Sequence, residues 1–316
     1  MILTQVVSLL LVSSAVAAPS QALLGSSGPR PLVIWHGLGD TAHSKGMDQF
    51  ADYVRDEFPG IFVHAIVAPN EGSPRDEQKA GWWGIGEELS QGGCDQIKDI
   101  PELADGFDAI GFSQGGLFLR WYAQYCDGPR IKNLITFGTP HFGIAALIPC
   151  PDPPTLTCTL AARAAKAGIY TRWAQSHLIQ AQYYRDPARM QEFLEQNTFL
   201  RDLNGEGGVD QGGGSGREDG GRGLGGLENV VAIAFRDDTT VVPGLSAHWA
   251  TMDPDNSSHI IPLEEQELYS GDFIGLKRLD KRGGLHRPFC PGEHMDLGGE
   301  GGCGDRLVRK WVGWPL

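Results

Sequence analysis

The sequence predicts an α/β protein built on a mostly parallel sheet. Short apolar, β-rich runs alternate along the chain with helix-like segments. Several runs end in glycine turns, as in "PLVIWHGLGD" and "IKNLITFGTPHFG". That arrangement puts loops at the strand C-termini, where sheets of this kind carry function. At 316 residues the chain can bury a substantial core without help from a metal.

In order, "PLVIW" is the first strand, and its turn is His36-Gly37-Leu38-Gly39. Residues 43–57 read as a helix, with Met47, Phe50, Tyr53 and Val54 spaced for one face. "GIFVHAIVAP" offers the second strand, and 85–104 is expected to be helical despite Gly92 and Gly93. "FDAIGF" is a third strand leading into Ser113, "LFLRWYAQY" continues as a helix, and "IKNLITF" is the fourth strand. From 145 to 203 the strand pattern stops, and the segment reads as a helical insertion. Residues 205–226 are glycine-rich and have no large apolar anchors apart from Val209 and Leu224, so a disordered loop is expected. Strand character returns in "NVVAIAF" and "LHRPF", and "RLVRKWV" closes the chain as a helix. A single domain over 28–316 follows, without internal repeats.

The first seventeen residues stand apart. "MILTQVVSLLLVSSAVA" is apolar, too short to span a bilayer, and ends in the small-x-small triplet Ala15-Val16-Ala17. It reads as a signal peptide, although its start carries no Lys or Arg. No later stretch reads as a transmembrane span. The expected destination is the secretory pathway, ending in a lysosome, a vacuole or the medium. Six cysteines, Cys94, Cys126, Cys150, Cys158, Cys290 and Cys303, fit an oxidising compartment, but they permit 15 connectivities. Cys150 and Cys158 enclose "CPDPPTLTC" and are the easiest local pair, while Cys290 and Cys303 bracket another short segment. Asn256, in Asn256-Ser257-Ser258, is an expected glycosylation acceptor. No Cys or His spacing calls for a metal, and no cofactor is expected. The net charge of −13 argues against nucleic acid, and against an anionic membrane surface, as a partner.

The chemistry centres on Gly111-x-Ser113-x-Gly115, directly after an apolar run. Glycines on either side allow a turn tight enough to hold a serine hydroxyl out toward a substrate. Such a hydroxyl needs a base, and the base needs an orienting carboxylate, in the chain order Ser, Asp or Glu, then His. Beyond "NVVAIAF" come Asp237 and Asp238; beyond "LHRPF" comes His294, in "CPGEHMDLG". The order is met. Backbone N–H groups of Leu38 and Gln114 are the candidate oxyanion donors. His36 and His141, also at strand ends, are assigned at most to lining the site.

Together "PLVIWHGLGD", "GFSQGGLFLRWYAQYC", "FRDDTTVVP", "IPLEEQELYSGDFIGLKRLD" and "CPGEHMDL" resemble the palmitoyl-protein thioesterases. The likeness runs from about residue 30 to the C-terminal helix and includes "QAQYYRDP". It implies an α/β-hydrolase of lysosomal type that removes long-chain fatty acyl groups from cysteine thiols of proteins or peptides through an acyl-serine. It places the nucleophile on Ser113, the acid on Asp238, the base on His294 and the oxyanion donors on Leu38 and Gln114. It also pairs Cys94 with Cys126 and Cys150 with Cys158, and is silent on Cys290 and Cys303. The glycine-rich loop departs from the family pattern. An acyl groove is expected under the insertion, with Leu160, Ile169, Leu178, Ile179, Phe193, Phe199 and Leu200 as candidates, more than half of which must instead pack on the sheet. The alternative is a secreted lipase or carboxylesterase acting on oxyesters; a non-catalytic lipid-binding protein would require a lost triad residue, and none is missing.

Overall fold

The computed structural model describes residues 28–150, 152–207, 223–256 and 258–313, with the backbone alone for 166 and 167. The signal peptide assigned to 1–17 and most of the glycine-rich stretch lie outside the described residues.

The first half of the chain contains β1 (Leu32–Trp35), α1 (Lys45–Glu57), β2 (Val63–Ala65), α2 (Pro74–Trp82), α3 (Gly86–Lys98), β3 (Phe107–Phe112), α4 (Gln114–Tyr125) and β4 (Ile131–Phe137). The insertion follows as α5 (Leu156–Ala167), α6 (Arg172–His177), α7 (Ile179–Gln182), α8 (Met190–Gln196) and α9 (Phe199–Leu203). After it come β5 (Asn229–Phe235), a hairpin of β6 (Thr251–Met252) and β7 (Ile260–Ile261), then α10 (Glu267–Ser270) and α11 (Leu276–Lys281). β8 (Leu285–His286), β9 (Phe289–Cys290) and α12 (Cys303–Trp311) complete the described chain.

The central sheet runs β2-β1-β3-β4-β5-β8, with β9 also on β5, and every pairing in it is parallel. Both faces are covered, which is why β1, β3 and β5 are buried at every position. Side chains alternate between the two faces. Leu32, Ile34, Ile110 and Ile135 pack with α1 and α12, while Val33, Trp35, Ala109 and Leu134 pack with α3, α4 and the insertion.

Three departures from the sequence reading have local causes. The apolar pattern places no helix at 74–82, yet α2 forms there: Ser73 caps it, Pro74 opens it, and the Ser73 amide donates to the Asp76 carboxylate, the pattern of a capping box. "LHRPF" is two short strands because Pro288 has no N–H to continue the ladder. The glycine-rich stretch expected to be disordered over 205–226 is folded at its described C-terminal end: Leu224 is wholly buried, and Gly223 donates to the Ala123 carbonyl at 3.3 Å. One apolar anchor sufficed there.

Cys94–Cys126 ties α3 to the end of α4, Cys150–Cys158 ties the insertion's start to the first turn of α5, and Cys290–Cys303 ties β9 to α12. The third bridge encloses the loop that carries His294.

Candidate active site

Ser113 sits between β3 and α4 with φ +50° and ψ −119°, a region that L-residues rarely occupy. The flanking glycines allow this because helix and sheet are nearly in contact. A Cβ on Gly111 would lie 2.4 Å from the Gly116 Cα, and one on Gly115 would lie 2.4 Å from the His36 carbonyl oxygen. The amide of Ser113 donates to the Phe137 carbonyl at 2.8 Å, and Thr139 Oγ1 donates to the Ser113 carbonyl at 2.8 Å. The turn is therefore held from β4 as well as from its own ends.

The loops after β5 and β9 supply the next two groups. Ser113 Oγ lies 3.0 Å from His294 Nε2, and His294 Nδ1 lies 2.7 Å from Asp238 Oδ2. The other carboxylate oxygen, Asp238 Oδ1, accepts from the amides of Thr240 and Val241, each at 2.9 Å. The Asp238 side chain is only 1% exposed, so its plane is set by those two donors rather than by water. Asp237, its neighbour, is exposed, and its carboxylate accepts from the Gly292 amide instead of the imidazole.

The two amides singled out for an oxyanion, those of Leu38 and Gln114, donate to no carbonyl or side chain among the described residues. Gln114 opens α4, whose dipole favours negative charge at that end. Its side chain is anchored: Nε2 donates to the Gly81 carbonyl and to Tyr183 Oη, both at 3.2 Å. The Leu38 turn is anchored by Glu77, which the sequence reading passed over with α2. Buried Glu77 accepts from the Ala42 amide at 2.9 Å and lies 3.4 Å from His36 Nε2.

Ser113 and His294 open on a cavity of about 870 Å³. Leu38, Met47, Phe50, Trp82 and Phe112 supply its apolar wall from before the nucleophile; Ile148, Pro149, Met295 and Leu297 supply it from after. Arg75, Gln78 and Lys79 of α2 add a polar portion.

None of the seven groove candidates lines this cavity. Ile169, Leu178, Ile179, Phe193, Phe199 and Leu200 are core residues, and Phe199 meets the Phe118 ring edge-on with centroids 6.1 Å apart. These six are taken up in packing instead, with α7 against α2 and α9 against α4. Leu160 is 46% exposed. His36 and His141 do not line the cavity either. His141 is fully buried, stacked on Trp249 at 4.1 Å, and burial together with the Arg120 cation holds its imidazole well below the ordinary range. Asn256 is exposed at the β6–β7 hairpin.

A fully parallel sheet with a serine at a strained strand-to-helix turn, facing a histidine and a carboxylate from later strand ends, defines the α/β-hydrolase class. A family model described as palmitoyl protein thioesterase matches residues 31–294. Palmitoyl-protein thioesterase 1 of Caenorhabditis elegans is 32% identical over 268 residues, covering 84% of this chain and 87% of that one. The palmitoyl-protein thioesterase-dolichyl pyrophosphate phosphatase fusion 1 of Schizosaccharomyces pombe is 36% identical over 288 residues, which are 91% of this chain and 44% of the longer fusion. Lysosomal thioesterase PPT2 of Rattus norvegicus is 27% identical over 294 residues, 90% of this chain and 88% of that one. The chain belongs to the palmitoyl protein thioesterase family.

Proposed function

We propose that the protein hydrolyses long-chain acyl thioesters, removing palmitoyl-type groups from S-acylated cysteines of proteins or peptides. The observation that carries this is the line of hydrogen bonds from Ser113 through His294 to Asp238 at an apolar cavity, in a chain of this family. His294 Nε2 takes the Ser113 proton as Oγ attacks the thioester carbonyl carbon. The Leu38 and Gln114 amides receive the oxyanion. The C–S bond then breaks, the thiol leaves with the proton from His294, and an acyl-serine remains. Water, losing a proton to the same nitrogen, releases the fatty acid and restores the serine. Asp238 holds the imidazole in the tautomer this requires.

A thiolate leaves readily, so selectivity rests on the acyl chain. Each methylene buried in the cavity contributes about 0.8 kcal/mol. The expected result is a kcat/KM that rises with chain length toward about sixteen carbons on thioesters, with matched oxyesters slower at every length. Equal rates on oxyesters, or a preference for short chains, would point instead to a general esterase or lipase. The three disulfides fit an oxidising compartment. With the signal peptide over 1–17 and glycosylation at Asn256, they support a lysosomal, vacuolar or secreted enzyme.

A further inference from the structure

Between Asp152 and Asp186 the chain carries no Asp or Glu, but α5 and α6 carry Arg163, Lys166 and Arg172; Arg185, beyond them, is buried against Glu206. In a protein of net charge −13 this is a local inversion, and it coincides with α5 and α6. The same stretch holds three of the largest exposed apolar side chains: Leu156 is 74% exposed, Trp173 49% and Leu160 46%.

Helix α5 explains the coincidence. Cys158, Ala161 and Ala165, spaced for one face, are buried. Leu156, Leu160 and Arg163, at i, i+4 and i+7, face outward together. The ridge continues without a gap. Trp83 Nε1 donates to the Thr157 carbonyl at 3.3 Å, the Trp83 and Trp173 rings meet edge-on at 6.2 Å, and Arg172 is exposed beside Trp173. It also adjoins the site, since Thr155 and Thr157 of this segment line the cavity that opens at Ser113. An exposed face mixing Leu and Trp with cations is the composition of a surface that lies on anionic lipid.

We propose that the outward face of α5 and α6 docks on an anionic lipid bilayer, setting the cavity mouth beside acyl chains anchored there. The bulk-charge argument against such a partner fails locally, because charges more than about 8 Å away are screened at physiological salt while the patch itself is cationic. Among the described residues no helix is long and apolar enough to cross a membrane, so this contact is peripheral. Docking stands on the patch alone; its consequence for turnover rests on the thioesterase reading.

The test is co-sedimentation with phosphatidylcholine vesicles, with and without phosphatidylserine, alongside turnover of a water-soluble short-chain thioester. The wild type should bind the anionic vesicles about tenfold more than the neutral ones, and less at high salt. Leu156→Ser with Leu160→Ser, and separately Trp173→Ser, should lose that binding while keeping soluble turnover and melting temperature. Arg163→Glu with Arg172→Glu should lose the anionic preference without removing any apolar contact. No binding by the wild type, or undiminished binding by all three variants, overturns the proposal. So does a dimer that these substitutions dissociate, which would give the patch to a second copy. Failure of the thioesterase reading shows separately, as no turnover of any thioester whatever the vesicles report.

Discussion

Asp237 and Gly292 exchange two hydrogen bonds: the Asp237 amide donates to the Gly292 carbonyl at 3.1 Å, and the Gly292 amide donates to Asp237 Oδ2 at 3.2 Å. They join the loop bearing Asp238 to the loop bearing His294. Thr239 Oγ1 adds a third link, donating to Glu293 Oε2 at 3.0 Å. The two adjacent carboxylates therefore have different work. Asp238 addresses the imidazole and Asp237 addresses the backbone of the imidazole's loop.

Asp238→Asn should lower kcat by about 10⁴, since an amide at that position favours the wrong tautomer. Asp237→Asn keeps an acceptor for the Gly292 amide and should stay within about tenfold of wild type. Steady-state kinetics on one thioester decides between them. A larger loss at Asp237 would reverse the assignment.

Ser113→Ala should abolish the acyl-enzyme adduct, read as a missing mass shift after mixing with a long-chain thioester. The fold should survive, because Oγ bonds only His294 among the described residues. Ser113→Gly should be equally inactive but more stable than wild type by about 1 kcal/mol, since glycine relieves the strain at φ +50°. Chemical denaturation measures this; a glycine variant less stable than the alanine one would contradict the strain argument.

Gly138→Ala should damage catalysis from outside the triad. At φ +58° this glycine closes β4, and a Cβ on it would stand 2.8 Å from His294 Cε1 and 2.9 Å from Nδ1. The ring must move off the line between Ser113 and Asp238. The expected result is a kcat lowered by about 10² or more with KM little changed. Wild-type kcat in this variant would mean the ring has room to give way.

Stability should fall as the medium is acidified from pH 6.5 toward 4. Burial lowers His248 from 6.5 to about 4, and burial with the Arg120 cation holds His141 well below the ordinary range. Below 6.5 the unfolded chain therefore binds protons that the folded chain refuses, and the stability these histidines contribute at neutral pH is lost as pH falls through their folded values. Asp108 works the other way: burial raises it from 3.8 to about 6, so its contribution is present below 3.8 and lost as pH rises through 6. His64 and His286 are lowered by burial as well, so four histidines against one aspartate leave the acid loss dominant. His248→Gln should flatten the profile by on the order of 3 kcal/mol. Urea midpoints at pH 7, 5.5 and 4 would show it, and an unchanged slope in the variant would count against the buried histidine as its source.

The elements that position Ser113 were legible in the linear chain because their causes are local. Strands buried on both faces read as unbroken apolar runs, and a strained turn announces itself by glycines on both sides of the serine. Asp238 and His294 could be named because each follows a strand in an order the chemistry demands. The cavity could not be found that way. The apolar residues of α6 to α9 look alike in sequence whether they face a ligand or a neighbouring helix, and packing, of α7 on α2 and α9 on α4 among others, claimed the candidates. The wall came instead from α1, α2, the turn after β1, the start of the insertion and the loop after β9. Glu77 was hidden for the same reason: an acidic residue in the first turn of a helix is ordinary, and only the fold brings it to the Ala42 amide. Periodicity and turn chemistry act over a few residues, so sequence alone determined the sheet and the serine turn, and it named the residues, Asp238 and His294, that the fold brings within hydrogen-bond reach of that turn. Which apolar surfaces meet one another and which stay open depends on contacts between distant segments, and only the tertiary structure decided that.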